Sequence, residues 1–561
     1  MDKRLSIALL LTALVVAITP ILFPTPRPVP SAAARQDSVS GPAVVPRADT
    51  LALRTAAPAV VGSVIGDTSV ASGNPAIPAT ISSAAEITTI SSAKSTYQFS
   101  SLGAAPVSVT FQDYESLAAG TPGKVSLRDP ARALIQYALV AGRDTISLSG
   151  VAFQGSTTEG ADGGKRVVYR ASVRNMDVSI QYDVAPDRYV TTVSGRVEGE
   201  NPPGFLLVSL PATLPATETD TVGDLRTLSY SFKSTRENAR GVSFGKLDPG
   251  EQRLEAGPIT WIAVRNKYFV VGVVNPEGGA FEEMTLTGGP RTSKVATHAS
   301  ATAVKSLRDG TFAFDIYAGP QQSEQLIAMG RDFDHVNPYG WSFLQPVVNP
   351  IAALCIKLLL WLHDTFKFSY GWVLVLFGVF IRIALWPLNQ KAMRSGLKMQ
   401  ELQPRLAEVQ KKYKDKPERQ REEMMKVYKE ANASPFTALS GCLPMLIPMP
   451  VLFALFFVFQ NTIEFRGVPF LWLPDISVKD PYYILPVLMG ASMYLLSWIG
   501  LRNAPPNPQA KMMSYMFPVM MVVVLANMAS GLNLYYTAQN IAALPQQWLL
   551  ARERLRARQG K

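Results

Sequence analysis

The stretch GVFIRIALWP, residues 378–387, places one arginine inside an otherwise apolar run. From Gly371 to Ile381 nothing is charged, and beyond Trp386 and Pro387 the chain turns polar. A guanidinium at a bilayer centre costs about 2.5–3.5 kcal/mol on insertion scales, so Arg382 needs a reason to be there. It stands seven residues before Asn389, hence about 10 Å inside the inner boundary at about 1.5 Å per residue. From that depth the long side chain can snorkel to the headgroups unaided. The functional alternative is that it keeps water and positive potential in a cavity within the membrane.

Composition points to a membrane as well. Of 561 residues, 47% are hydrophobic and only 17% charged, against about 25% in ordinary globular domains. The length allows a sizeable soluble domain plus several spans. The net charge of +11 suits nucleic acid in principle. Much of the excess flanks apolar segments, however, which favours membrane orientation over DNA binding. Cys355 and Cys442 lie in or beside apolar runs and the long middle region has no cysteine. That region therefore has no disulfide framework and no Cys-based zinc site. His298, His335 and His363 are scattered without ligand spacing, so neither metal nor cofactor is expected.

Basic MDKR followed by an apolar run to Phe23 fits a secretory signal or an uncleaved anchor. The length of the run favours a transmembrane anchor over 1–23, although SAAARQ at 31–36 could pass for a cleavage site. Residues 24–95 read as a disordered Pro/Ala/Ser-rich tether. Residues 96–340 switch to short alternating segments, among them RVVYRASV (166–173), MDVSIQYDV (176–184), RTLSYSFKS (226–234), ITWIAVRNKYFVVGVV (259–274) and TFAFDIYAG (311–319). With turn residues between them, they predict an antiparallel β-sandwich. GADGGKR (160–166) has the wrong spacing for a phosphate loop and reads as a hairpin turn.

After Tyr339 the period becomes helical. Residues 343–366 include Lys357, His363 and Asp364, and they predict an amphipathic helix along the outer membrane surface; a short span is the disfavoured reading. Spans follow at 370–388, 441–460 and 482–500. The apolar stretch 512–550 is nearly twice the length needed to cross, and NMASGLN (527–533) divides it into spans at 512–527 and 532–550. Segment 389–440 has twelve Lys/Arg against seven Asp/Glu, and the tail 551–561 is also basic. Loop 461–481 has only Arg466 and Lys479, balanced by Glu464, Asp475 and Asp480. Positive-inside placement then puts 389–440 and the tail in the cytoplasm, and 24–369 and 461–481 outside. Within 389–440, alternating apolar and charged residues around Pro417 and Tyr413 predict a projecting helical hairpin.

Four motifs carry a resemblance: GWVLVLFGVFIRIALWPL (371–388), GCLPMLIPMPVLFALFFVF (441–459), DPYYILPVLMG (480–490) and SGLNLYY (530–536). In this order and topology the chain resembles the YidC/Oxa/Alb family of membrane protein insertases, Gram-negative type. YAGPQQSEQL (317–326) and PYGWSF (338–343) resemble the end of that type's large periplasmic domain. The resemblance implies a multi-span α-helical membrane protein of the bacterial inner membrane, with six transmembrane helices, five of them forming the insertase core. It further implies a hydrophilic groove open to cytoplasm and lipid, in which Arg382, Tyr535 and Tyr536 match family positions. The implied partners are nascent membrane proteins, the Sec translocon and, through the basic tail and cytoplasmic loops, the ribosome. Some positions depart from the family pattern. Gly378 replaces a hydroxyl residue one turn before the arginine, Ser434-Pro435 replaces Asn-Pro, and Pro448 replaces a Gln.

Intramembrane charges face a bundle interior or water, so Arg382 should find polar partners on other spans. Asn533, Tyr536, Gln539 and Asn540 share one face of the last helix by spacing, and Gln460 is a weaker candidate near the outer boundary. The bland reading of that stripe is interhelical hydrogen bonding. The basic tail suits anionic lipid. The main rival class, a transporter or channel, would be expected to show repeated halves, and none is visible. No H-E-x-x-H or G-x-S-x-G occurs, so no catalytic chemistry is expected.

Overall fold

The computed structural model describes residues 85–559, apart from 161–162, 201–202, 292–293, 338–344, 388, 391–401, 403–404, 407, 415, 431–448 and 502–507. The anchor 1–23, nearly all of the tether, and the positions Ser434, Pro435, Gly441, Cys442 and Pro448 lie outside these residues.

Among the described residues eighteen strands form two sheets, and all of their pairings are antiparallel. The smaller sheet has the order β1 (Ile87–Ser91), β2 (Ser95–Ser100), β3 (Ala105–Glu115), β4 (Lys124–Arg128). The tether therefore ends sooner than its composition suggests, since β1 occupies 87–91 within the expected 24–95. Only Ile90 of its five residues is buried, which leaves little apolar signal to read. The larger sheet has fourteen strands. β9 (Met176–Val184) buries every second residue against the core, as one-sided burial of a pleated strand requires. β15 (Phe269–Val274) is buried at all six positions between β14 (Gln252–Arg265) and β18 (Thr311–Pro320). Segment 259–274 is thus a hairpin of two strands turning at 266–268, while Arg226 closes the short helix α1 (Thr221–Arg226) instead of opening a strand. β7 (Gln154–Glu159) and β8 (Lys165–Val173) pair antiparallel with Glu159 opposite Lys165, so the last two residues of GADGGKR belong to β8.

After α2 (Ser323–Met329), the helical region comprises α3 (Gln345–Phe366), α4 (Tyr370–Ala384), α5 (Pro417–Glu430), α6 (Met449–Asn461), α7 (Ile484–Leu501), α8 (Pro508–Leu525) and α9 (Ser530–Gln559). α9 packs on α4 and α7, α8 on α7, and α3 on α6. The basic tail is a continuation of α9, not a separate segment. Among the described residues two helices are long and apolar enough to cross a membrane, Val347–Phe366 and Ile484–Leu501; Tyr370–Ala384, Val451–Asn461 and Ser514–Leu525 are apolar but shorter. α3 buries Val348, Ala352, Cys355, Ile356, Leu359 and Leu362 on one face, and on the other Lys357 lies exposed between Leu354 and Trp361. Length and composition thus admit the spanning reading of α3, while the exposed lysine among exposed apolar residues suits an interfacial helix.

The outer faces of α4 and α8 are apolar. On α4, Trp372, Leu376, Phe380 and Ile383 are exposed at helical spacing; on α8 the same holds for Met512, Met516, Val519 and Val523. In water such stripes would be an aggregation liability, and in lipid they need no partner.

Candidate functional site

Arg382 lies in the last turn of α4, whose C-cap is Leu385. A cation there is favoured by the helix dipole and by the unsatisfied final carbonyls. Its Nη2 donates to Oε1 of Gln546 on α9 at 2.9 Å, and Gln546 Nε2 donates to the Trp386 carbonyl at 3.2 Å. Gln546 is 1% exposed. The Arg382 Nε–H is buried without an acceptor among the described residues.

Among the described residues, none of the other five expected groove residues hydrogen-bonds the guanidinium. Tyr535 packs in the helical core with its ring 5.7 Å from Phe377, and half-buried Tyr536 meets it edge-on at 5.4 Å. Buried Asn533 donates to the Leu525 carbonyl at the end of α8 at 3.0 Å, and Asn540 donates to Ser492 of α7 at 3.0 Å. Gln539 is buried where α9 passes Gly378. Gln460 is exposed at the end of α6. The partner of Arg382 is Gln546, which the list of candidate partners omitted. Its signal is present in the sequence: position 546 is seven residues, about two helical turns, beyond Gln539.

Gly378 allows this geometry. A Cβ there would stand 3.1 Å from the Tyr535 carbonyl oxygen and 3.3 Å from Ala538 Cβ. The missing hydroxyl is the counterpart of a close approach between α4 and α9.

Between α4 and α6, Pro417 is the first residue of α5, where its missing N–H costs nothing. Tyr413 sits at the turn just before it, its amide donating to the Val409 carbonyl. Leu402 and Leu406 share a cluster with Tyr428 near the end of α5, while Gln420 near its start donates to the Gln410 carbonyl at 3.2 Å.

A second polar cluster lies in loop 461–481, on the β domain. Arg466 donates from Nε to Glu218 Oε1 at 2.7 Å and from Nη2 to the carbonyls of Glu115 and Thr217 at 2.8 and 3.1 Å. The two side chains are 5% and 3% exposed, and Ile463 joins the β-domain core. Burial raises the Glu218 carboxyl above its ordinary value against the pull of Arg466. Burial also raises Glu464, and neighbouring Glu324 adds to the shift. In the same loop, Asp480 accepts from the amides of Tyr482 and Leu485 and so opens α7. Asp332, Asp334 and His335 come together at the end of the β domain, with Lys233 3.2 Å from Asp332. That cluster reads as a surface charge network.

Comparison with known families agrees with this architecture. The profile of the YidC periplasmic domain matches residues 88–353, and that of the 60Kd inner membrane protein matches 361–557. The chain belongs to the YidC family. A YidC membrane protein insertase of Chloroherpeton thalassium is 32% identical over 348 residues, 59% of this chain and 58% of that protein. One of Chlorobaculum tepidum is 33% identical over 331 residues, covering 55% and 54%. The match therefore spans less than two thirds of these relatives' length. A solved structure of an active YidC insertase is similar over 82% of this chain and 92% of its own, at 17% identity and a TM-score of 0.33. The β domain is the part matched by the periplasmic-domain profile, and α4 to α9 lie in the part matched by the inner membrane protein profile.

Proposed function

We propose that the protein is a membrane protein insertase and folding chaperone of the bacterial inner membrane, working without a nucleotide or catalytic group. Six spans are proposed: the N-terminal anchor, α4, α6, α7, α8 and α9. The β domain and loop 461–481 then lie in the periplasm, with the α5 hairpin and the basic end of α9 in the cytoplasm, as the charge bias requires. α3 is assigned to the outer interface.

The observation that carries the reading is Arg382, set between apolar helices and held by a neutral amide with a buried N–H left over. Such a charge lowers the cost of drawing an acidic substrate tail partway across. Release follows as the substrate's own apolar helix enters lipid, at about 25 cal/mol per Å² buried. Tyr535, Tyr536, Asn533, Gln539 and Asn540 are proposed to wall the groove beside it, with Pro417 and Tyr413 shaping the cytoplasmic loop. Nascent membrane proteins are the proposed substrates. The Sec translocon, the ribosome and anionic lipids are the proposed partners, the last two through the basic end of α9.

Complementation of an insertase-depleted strain tests the proposal. Arg382→Ala and Arg382→Glu are expected to impair insertion of small proteins with charged outer tails, Glu more than Ala. Full insertion of every substrate by both variants would remove the charge-attraction mechanism.

A further inference from the structure

We infer that Gln546 is a positioning residue that aims Arg382 while leaving its charge uncancelled, so that the guanidinium's spare donors are reserved for a carboxylate of the substrate. The inference rests on the insertase reading and adds a charge-selectivity element to it.

The amide of Gln546 is tied at both ends. Its NH2 group faces the Trp386 carbonyl, so its oxygen must face the guanidinium, and the two contacts together fix which way the amide points. Trp386 lies four residues after Arg382, just beyond the end of α4. One side chain of α9 therefore holds both the charged group and the adjoining backbone of the same neighbour. Because Gln546 is 1% exposed, a side chain that could not make both bonds would leave buried polar atoms unpaired.

The choice of an amide over a carboxylate is the informative part. A buried arginine usually meets Asp or Glu, whose two oxygens match its fork. Here the acceptor takes one donor and contributes no charge. Among the described residues Arg382 has no carboxylate partner. The guanidinium has five N–H bonds, of which one is used by Gln546, and the Nε–H is buried and unpaired. An arriving carboxylate would find both a net positive charge and free donors. With Glu at 546 the internal pair would satisfy the fork and cancel the field.

The test uses the full chain in the depleted strain with two single-span substrates. They differ only in the outer tail: one carries acidic residues, the other their amides. The measure is the ratio of acidic-tail to amide-tail insertion, alongside the thermal midpoint of each purified variant. Gln546→Glu is expected to lower the ratio by about tenfold while keeping a cooperative thermal transition, since the ion pair it gains with Arg382 offsets the donor it takes from the Trp386 carbonyl. Gln546→Leu keeps the charge but loses the aim, and is expected to lower the ratio by about threefold. A Gln546→Glu protein that is folded and keeps the natural ratio overturns the inference. Equal loss for both tails also overturns it, by assigning Gln546 to packing alone. Arg382→Ala separates the two readings: if it inserts both tails normally, the charge-attraction mechanism itself fails. If Arg382→Ala is defective while Gln546→Glu is not, only the role of Gln546 fails.

Discussion

Gly378 stands one turn before Arg382, where a hydroxyl would have offered the guanidinium a partner on its own helix. The structure gives that position to the backbone of α9 instead, with the Tyr535 carbonyl 3.1 Å from where a Cβ would stand. Side chains added there must push two packed helices apart. We expect Gly378→Val to lower stability by about 1–3 kcal/mol, the usual cost of overpacking, and Gly378→Ala to cost less. Thermal unfolding of the detergent-solubilised protein reads both. Arg382 itself was legible from the sequence, because a lone charge in an apolar run is visible without coordinates. Gln546 was less so: Pro545 precedes it, and a pair of glutamines near a basic tail looks like a helix leaving the membrane. What made it the partner is that α4 and α9 cross at a glycine, and periodicity within one helix says nothing about where helices cross.

The α8–α9 hairpin shows how an element is set by contacts outside itself. α8 ends at Leu525, two residues before the NMASGLN break, and α9 begins at Ser530 inside it. Asn533 reaches back to the Leu525 carbonyl, while the amides of Ser530 and Gly531 donate to the carbonyls of Val478 and Ile476. Loop 461–481 thus supplies the acceptors that the first turn of α9 lacks. A cysteine placed at Asn527 is expected to react with a membrane-impermeant thiol reagent added from the periplasmic side. Labelling only after the cytoplasmic side is exposed would rule out the six-span arrangement. The composition of the break made a turn readable. The capping loop lies some fifty residues away in sequence, at 476–478, and no local pattern announces it.

At the scale of the whole molecule, the β domain is fastened to the helical region through Arg466 and Glu218. The chain separates them by 248 positions, and no local pattern relates them. Removing one partner of a buried ion pair strands the other and costs about 3–5 kcal/mol. Arg466→Leu is therefore expected to loosen the β domain, seen as faster proteolysis between 215 and 225 and a lower thermal midpoint. Adding Glu218→Gln should recover most of the loss. The pH dependence has a definite sign. Burial already holds the Glu218 carboxyl above its ordinary value, and without Arg466 it rises further. The folded state then binds the proton more tightly than the unfolded chain, so the single variant should regain stability as the pH falls through that raised value. By itself, the sequence determined the segments: apolar runs of spanning length, alternating strands, the charge bias between loops, and an arginine that needed a reason. These follow from hydropathy, period and charge, which act along the chain and are local. Only the tertiary structure decided that Gln546 meets Arg382, that Asn533 and Asn540 serve other helices, and that Arg466 docks the β domain. Each is a choice among polar groups of similar chemistry, and it is made by which backbones approach closely enough to bury them together.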